Sequence, residues 1–511
     1  MKNLIKILLP AAFFCAFLTV PVFPQDSGGL PIAEGSFKPT DESLATYQCP
    51  DWFRDAKFGI WSHWGPASVA RAGGWYAQRM YQEGSREYKR HVNQYGHPSE
   101  FGYKDVIHLW KAERWNPNEL MKLYKKAGAK YFVCVGVHHD NFFLWNSKLH
   151  RWNSVNMGPK KDVAALWQQA AKKEGLYFGL SEHVAASYTW LQKAKGSDKN
   201  GDKAGILYDG ANPEFYDLYH EPAAPDDKAW FTKNPKWQRQ WFDRVQELID
   251  NYHPDLFYSD GKLPFDRTGR EFGRGLVAHY YNQGAKTNSA GVVYNCKEVA
   301  NGRWVADYER AAAADIQKEP WQTDSCISGE WYYSDNIKEQ GKYKTGEEII
   351  QMLVDIVSKN GNLLLNVPLT PEGEHDAAQL KVLETIADWF AVNGEAIYGT
   401  RPWTVFGEGT DAAAKHKADG HGPLKGVWDT RKYQADDLRF TTKGNALYVF
   451  CMEKPAGDVV VKTPIGKKVS SVKLLGSGEA VQWTQNETGL TLRKPENPPK
   501  FKTIVYKMTL L

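Results

Sequence analysis

Five short apolar runs in this chain end on residues that can carry a proton or a charge. Run 58–64 closes on His63-Trp64, 131–138 leads into His138-His139-Asp140, 177–183 closes on Glu182-His183, 256–260 on Asp260, and 304–309 on Glu309. If these runs are parallel strands of one barrel, their carboxyl ends converge, and acids and imidazoles from separate strands meet in one small volume. Packing alone does not ask for that. Asp260 follows Leu256-Phe257-Tyr258-Ser259 and precedes Gly261, which admits close ligand approach, so it is the candidate nucleophile. Glu309 ends Trp304-Val305-Ala306-Asp307-Tyr308 and is the candidate acid/base. Two carboxylates on different strands of one barrel mouth are what a retaining glycosidase needs, with about 5 to 5.5 Å between the carboxyl groups.

Each of these residues also has a bland reading. A strand-ending Asp-Gly commonly caps the next turn, and Glu309 has Arg310 beside it as a salt-bridge partner. Neighbours on a strand face opposite ways, so the bland reading of His138-His139 buries one imidazole while the other meets ligand. His63, His138, His139, Asp140, His183 and Asp260 include the ligand types of barrel metallohydrolases. Against a metal, the first strand offers Ser62-His63 rather than a His-x-His pair, and no His-Glu-x-x-His helix occurs. The imidazoles and a lysine suit hydrogen bonding to sugar hydroxyls, and neither metal nor cofactor is expected.

The elements that must position these groups alternate as parallel βα units do. Besides the five runs, 291–296 and 362–369 read as strands, and the apolar spacing predicts helices over 116–129, 162–174, 236–252 and 346–359. The implied fold is α/β, a TIM-like (β/α)8 barrel with long loops at 75–115, 189–237 and 263–277. After a helix over 376–393 the pattern changes to short alternating strands at 446–452, 458–463, 469–475 and 502–510, which predicts a C-terminal antiparallel β-sandwich. The expected boundaries are a leader over 1–24, an extension over 25–50, the barrel over 51–400 and the sandwich over 401–511.

Composition narrows the function further. The formal charge of +4 excludes nucleic-acid binding by bulk charge. Lys2 and Lys6 precede an apolar stretch from 7 to 23, the layout of a secretory signal, so the protein is expected to be exported to the periplasm or secreted. No other run is long enough to span a bilayer. Beyond the leader remain Cys49, Cys134, Cys296, Cys326 and Cys451, an odd number without a Cys-x-x-Cys pair, which reads as buried thiols. Aromatic residues reach 14%, with 20 Trp, a surplus suited either to a dense core or to stacking on sugar faces.

At this point the motifs resemble those of a known family. Phe58-Gly59-Ile60-Trp61-Ser62-His63-Trp64-Gly65, Ala127-Gly128-Ala129-Lys130-Tyr131 leading to His138-His139-Asp140, Tyr258-Ser259-Asp260-Gly261, 321–333, 362–368 and Asn393-Gly394-Glu395-Ala396-Ile397-Tyr398-Gly399 resemble the α-L-fucosidases of glycoside hydrolase family 29. The resemblance runs from about Trp52 to Trp403. It implies a retaining, metal-free exo-hydrolase acting on an oligosaccharide or polysaccharide. By position it implies Asp260 as nucleophile, His63, His138 and His139 as sugar-hydroxyl ligands, Trp75 as the pocket tryptophan, and Tyr258 where the family often has Trp. Lys297 stands where many members carry Arg, and Trp331 lies within a matching segment and is carried as a substrate contact. Glu309 is chosen as acid/base over Glu319 and Glu330.

Two departures bear on the substrate. The family's Glu-Trp-Tyr is Gly74-Trp75-Tyr76 here, and its Tyr-Tyr-Ser is Ser181-Glu182-His183, which makes Glu182 and His183 candidate substrate contacts. The expected substrate is a terminal α-L-fucosyl residue. The alternatives are terminal α-L-galactose, with or without a 6-sulfate met by His183, Lys297 and Arg310, and a barrel that binds carbohydrate without cleaving it.

Overall fold

The computed structural model describes residues 29–266, 272–414, 416, 424 and 426–511. The expected leader over 1–24 and part of the 263–277 loop lie outside them. Eight parallel strands close a barrel in chain order: β1 (Phe58–Ser62), β2 (Tyr131–Val137), β3 (Tyr177–Glu182), β4 (Leu256–Ser259), β5 (Val293–Cys296), β6 (Val305–Asp307), β7 (Trp321–Cys326) and β8 (Gly361–Asn366). β8 closes on β1, with Phe58 opposite Leu363 and Trp61 opposite Asn366. Nearly every strand residue is buried, as it must be when side chains fill the barrel on one face and helices cover the other.

The covering helices start where a short polar side chain can accept a bond from the first turn. Asn116 caps α1 (Pro117–Lys126), Asp162 caps α2 (Val163–Glu174) and Asn234 caps α3 (Pro235–Tyr252). After α4 (Phe272–Thr287), reciprocal caps open α5 (Gly346–Ser358), through Thr345 and Glu348, and α6 (Ala377–Asn393), through Asp376 and Gln379.

Past α6 the chain builds the antiparallel domain. β9 (Arg401–Glu408), β10 (Leu438–Lys443), β11 (Ala446–Cys451), β12 (Val459–Val461), β13 (Val469–Leu474), β14 (Trp483–Asn486), β15 (Gly489–Leu492) and β16 (Ile504–Leu510) form two sheets. One has the order β9-β10-β11-β16-β13 and the other β12-β15-β14. Residues of both sheets, including Phe440, Val449, Val461, Leu490, Leu492 and Tyr506, share one apolar core.

The two domains meet over α5 through a buried ion network. Asp355 bonds Lys359 Nζ at 2.8 Å and Arg439 Nε at 2.7 Å, and also pairs with Arg431; Arg431 and Arg439 both reach Asp411. Cys134, Cys296, Cys326 and Cys451 are buried thiols, and Cys49 is partly covered. Among the described residues no helix is long and apolar enough to cross a membrane.

Candidate active site

The residues that can do chemistry leave the barrel just past the strand ends. His63 follows β1, His138 and His139 follow β2, His183 follows β3, Asp260 follows β4, Lys297 follows β5, and Glu309 stands two residues beyond β6. With Asp324 of β7 and Trp61 of β1 they surround a cavity of about 480 Å³, rimmed by Trp75, Arg79, Trp230, Glu330 and Trp331.

Lys297 organises the centre. Its ammonium lies 2.7 Å from Asp260 Oδ1 and 2.8 Å from Glu309 Oε2, with Asp324 Oδ2 at 3.9 Å. Its backbone N–H donates to Gly261 O at 2.7 Å, tying the ends of β4 and β5 together. Burial opposes a charge on Asp260, yet Lys297, then His183 and His139, hold its carboxyl well below the usual carboxylate range. Burial also opposes a charge on Lys297, while Asp260, Glu309 and Asp324 hold its ammonium well above the usual lysine range. The centre is therefore an ionised carboxylate beside a permanent cation.

Three of the imidazoles are held toward the neutral form. Burial, reinforced by neighbouring imidazoles, pushes His63 and His138 well below the ordinary histidine range, and burial takes His139 down to about 4. Asn366 of β8 anchors two walls at once: its Oδ1 accepts from His63 N and Nδ1, and its Nδ2 donates to Trp331 O at 2.8 Å. That leaves His63 Nε2 as an acceptor. His139 Nδ1 donates to His183 O at 2.6 Å, and His139 Nε2 and His183 Nδ1 face Asp260 Oδ2 at 3.5 and 3.6 Å.

Several expectations are corrected, though not the pair His138 and His139: both line the cavity, because β2 ends at Val137 and strand alternation stops there. Glu182 does not: as the last strand residue it faces outward, and its Oε2 accepts from Trp241 Nε1 of α3 and from Ala185 N, each at 3.2 Å. His183, one residue on, faces the cavity. Tyr258 lies beneath the floor, its ring 4.9 Å from that of Trp61 and its hydroxyl donating to Asp324 Oδ2 at 3.2 Å. Glu319 is exposed before β7, at the opposite end of the barrel, and Arg310 lines no part of this cavity. Glu330 does line it. Arg79, Trp230 and Asp324 were not singled out from the sequence; the first two sit in long loops with no periodicity to mark them.

Metal-holding geometry is present in outline. Ring nitrogens of His63, His138 and His183 lie within 4.8 Å of one another, as do donor atoms of His139, His183 and Asp260. The second group has the Lys297 ammonium already bonded to its only carboxylate, and a further cation there would meet that charge at close range.

The sequence and the fold match known proteins over nearly the whole chain. A family model described as alpha-L-fucosidase matches residues 29–395, and one for the alpha-L-fucosidase C-terminal domain matches 431–510. The chain belongs to the α-L-fucosidase family, glycoside hydrolase family 29. Its fold and motifs make it a glycoside hydrolase. Human tissue alpha-L-fucosidase is 27% identical over 474 residues, covering 91% of this chain and 89% of that protein. Human plasma alpha-L-fucosidase is 27% identical over 488 residues, covering 90% and 89%. Among solved structures, the Thermotoga maritima alpha-fucosidase in complex with fucose is 27% identical, with a TM-score of 0.70 over 93% of this chain and all of that one. The eight-stranded barrel with its antiparallel companion is thus the family's architecture.

Proposed function

We propose that the protein is an exported exo-acting retaining α-L-fucosidase that removes terminal α-L-fucosyl residues from glycans. The observation that carries the mechanism is the shared contact of Asp260 and Glu309 with one ammonium. Their nearer oxygens can be no further apart than the sum of the two contacts, 2.7 and 2.8 Å. That bound meets the roughly 5 to 5.5 Å of a retaining pair and falls short of the ~6.5–9.5 Å of an inverting one. The names of the relatives support fucose as the sugar.

In this reading Asp260 attacks the anomeric carbon while the glycosidic C–O bond breaks and Glu309 passes its proton to the departing oxygen. Water then gives a proton to Glu309 as its oxygen displaces Asp260, and both carboxyls return to their starting states. Lys297 keeps Asp260 ionised until it attacks and again once water has displaced it. His63, His138 and His139, held neutral, donate to and accept from ring hydroxyls, Trp75 and Trp331 wall the apolar sugar face, and Glu330 accepts hydroxyls at the rim.

The test is hydrolysis of an aryl α-L-fucoside followed by NMR, with α-L-galactosides run beside it. Release of fucose with the α anomer formed first supports the reading, and the β anomer first contradicts retention. Asp260→Asn is expected to lose nearly all turnover while still binding fucose.

A further inference from the structure

The catalytic pair stands between two cavities, and the second takes no part in the mechanism above. It holds about 580 Å³, shares Asp260, Lys297, Glu309 and Trp230 with the first, and is lined further by Phe231, Leu263 and Phe265 and by none of the histidines. Both volumes fall in the range of roughly 300 to 1,000 Å³ that small-molecule sites occupy.

The turn after Asp260 lines the second cavity and not the first. Gly261 has φ +85, a conformation that side chains resist, and a β-carbon placed on it would lie 3.3 Å from Trp230 Nε1 and 3.5 Å from Phe231 Cζ. The missing side chain lets two aromatic rings close over the nucleophile's neighbour. Trp230 is 41% exposed; its ring lies parallel to Trp75 with centroids 6.2 Å apart and meets His139 at 5.1 Å, so it borders both cavities. Phe231 faces only the second, and its ring packs on Phe265 at 5.5 Å. Around these flat surfaces stand Lys233 and Lys262, while the nearby Asp266 is engaged by Arg274 at 2.7 Å and Glu298 accepts from Leu263 N.

Flat aromatic faces within a ring of charged hydrogen-bonding groups suit a pyranose, which has apolar C–H faces and a polar edge. They do not suit an alkyl chain, which has nothing to offer the ammonium groups. Because the scissile bond must lie at Asp260 and Glu309, a group held in the second cavity is attached to the leaving oxygen. We propose that this cavity is a binding site for the saccharide on the leaving-group side, with Phe231 and Trp230 as its stacking surface and Lys262 as a hydroxyl donor. The inference rests on the retaining fucosidase reading above.

The experiment compares kcat/KM for α-L-fucosyl fluoride, whose leaving group fills no second cavity, with that for a panel of α-L-fucosyl disaccharides. Fluoride hydrolysis also reports whether each variant is folded. Phe231→Ala and Lys262→Ala are expected to lower the ratio of disaccharide to fluoride activity tenfold or more on the best disaccharide. A ratio within twofold of wild type for both variants overturns the proposal, as does cleavage of the fluoride with no disaccharide cleaved. If the wild type hydrolyses neither class, the fucosidase reading itself fails.

Discussion

Glu330 occupies the space above Gly73 that a side chain there would need: a β-carbon on Gly73, whose φ is +91, would lie 2.5 Å from Glu330 Oε2. The rim carboxylate therefore comes from the segment after β7, reaching over a glycine in the loop after β1, with Arg86 3.5 Å from its other oxygen. A carboxylate accepting hydroxyls contributes about 1.5–3 kcal/mol per charged hydrogen bond. Glu330→Ala is expected to lower kcat/KM for the fucoside ten- to a hundredfold, mainly through KM. Gly73→Ala should act in the same direction by displacing the carboxylate; steady-state kinetics of the two variants check this.

Lys297→Gln should move the acid limb of the pH–kcat/KM profile to higher pH. The ammonium is the strongest influence holding the Asp260 carboxyl down, so without it burial prevails and the nucleophile stays protonated further up the pH scale. An acid limb that stays in place would contradict the role assigned to the lysine.

Glu182, buried behind the pocket wall, should limit stability near neutrality. Burial raises its carboxyl from 4.5 to about 7. Between those values the folded protein holds this proton and the unfolded chain releases it, so stability falls as pH rises through that window. Glu182→Gln keeps an acceptor for Trp241 and Ala185 and is expected to stabilise the protein above pH 7 by roughly 3 kcal/mol, with little effect near pH 4. Urea unfolding at the two pH values measures the difference.

Chelation should leave turnover unchanged, since the Lys297 ammonium already supplies the positive charge beside Asp260. Loss of activity in a chelator, restored by a divalent cation, would show that the histidine clusters hold a metal.

The barrel was legible in the sequence wherever a strand is apolar. Seven strands were expected from such runs. The eighth, β7, reads Trp-Gln-Thr-Asp-Ser-Cys and was not, because four of its six buried residues are polar and give no apolar run to read. Gln322 Nε2 donates to Asp307 at 2.7 Å and Tyr131 donates to Gln322 at 3.0 Å, contacts that exist only once the barrel has closed. The site was legible to the same degree. A strand end announces which residues reach the mouth, so Asp260, Glu309 and His63 were found; Lys297 came from the family resemblance alone. Which way the last residue turns depends on where pairing stops, and that misplaced Glu182. Trp230 and Arg79 reach the pocket from loops and left no pattern to read.

The network under α5 makes the domain junction a boundary in sequence but not in energy. Asp355 belongs to a barrel helix, yet two of its three cationic partners, Arg431 and Arg439, arrive from beyond residue 400. A barrel ending before them would keep a buried carboxylate with one lysine, and removing the partners of a buried charge costs about 3–5 kcal/mol. The catalytic half and its companion should accordingly melt as one cooperative unit, with a single calorimetric transition. Selection for tolerance of heat or denaturant then acts on the pair together, even though the candidate active site is lined by residues of the barrel alone.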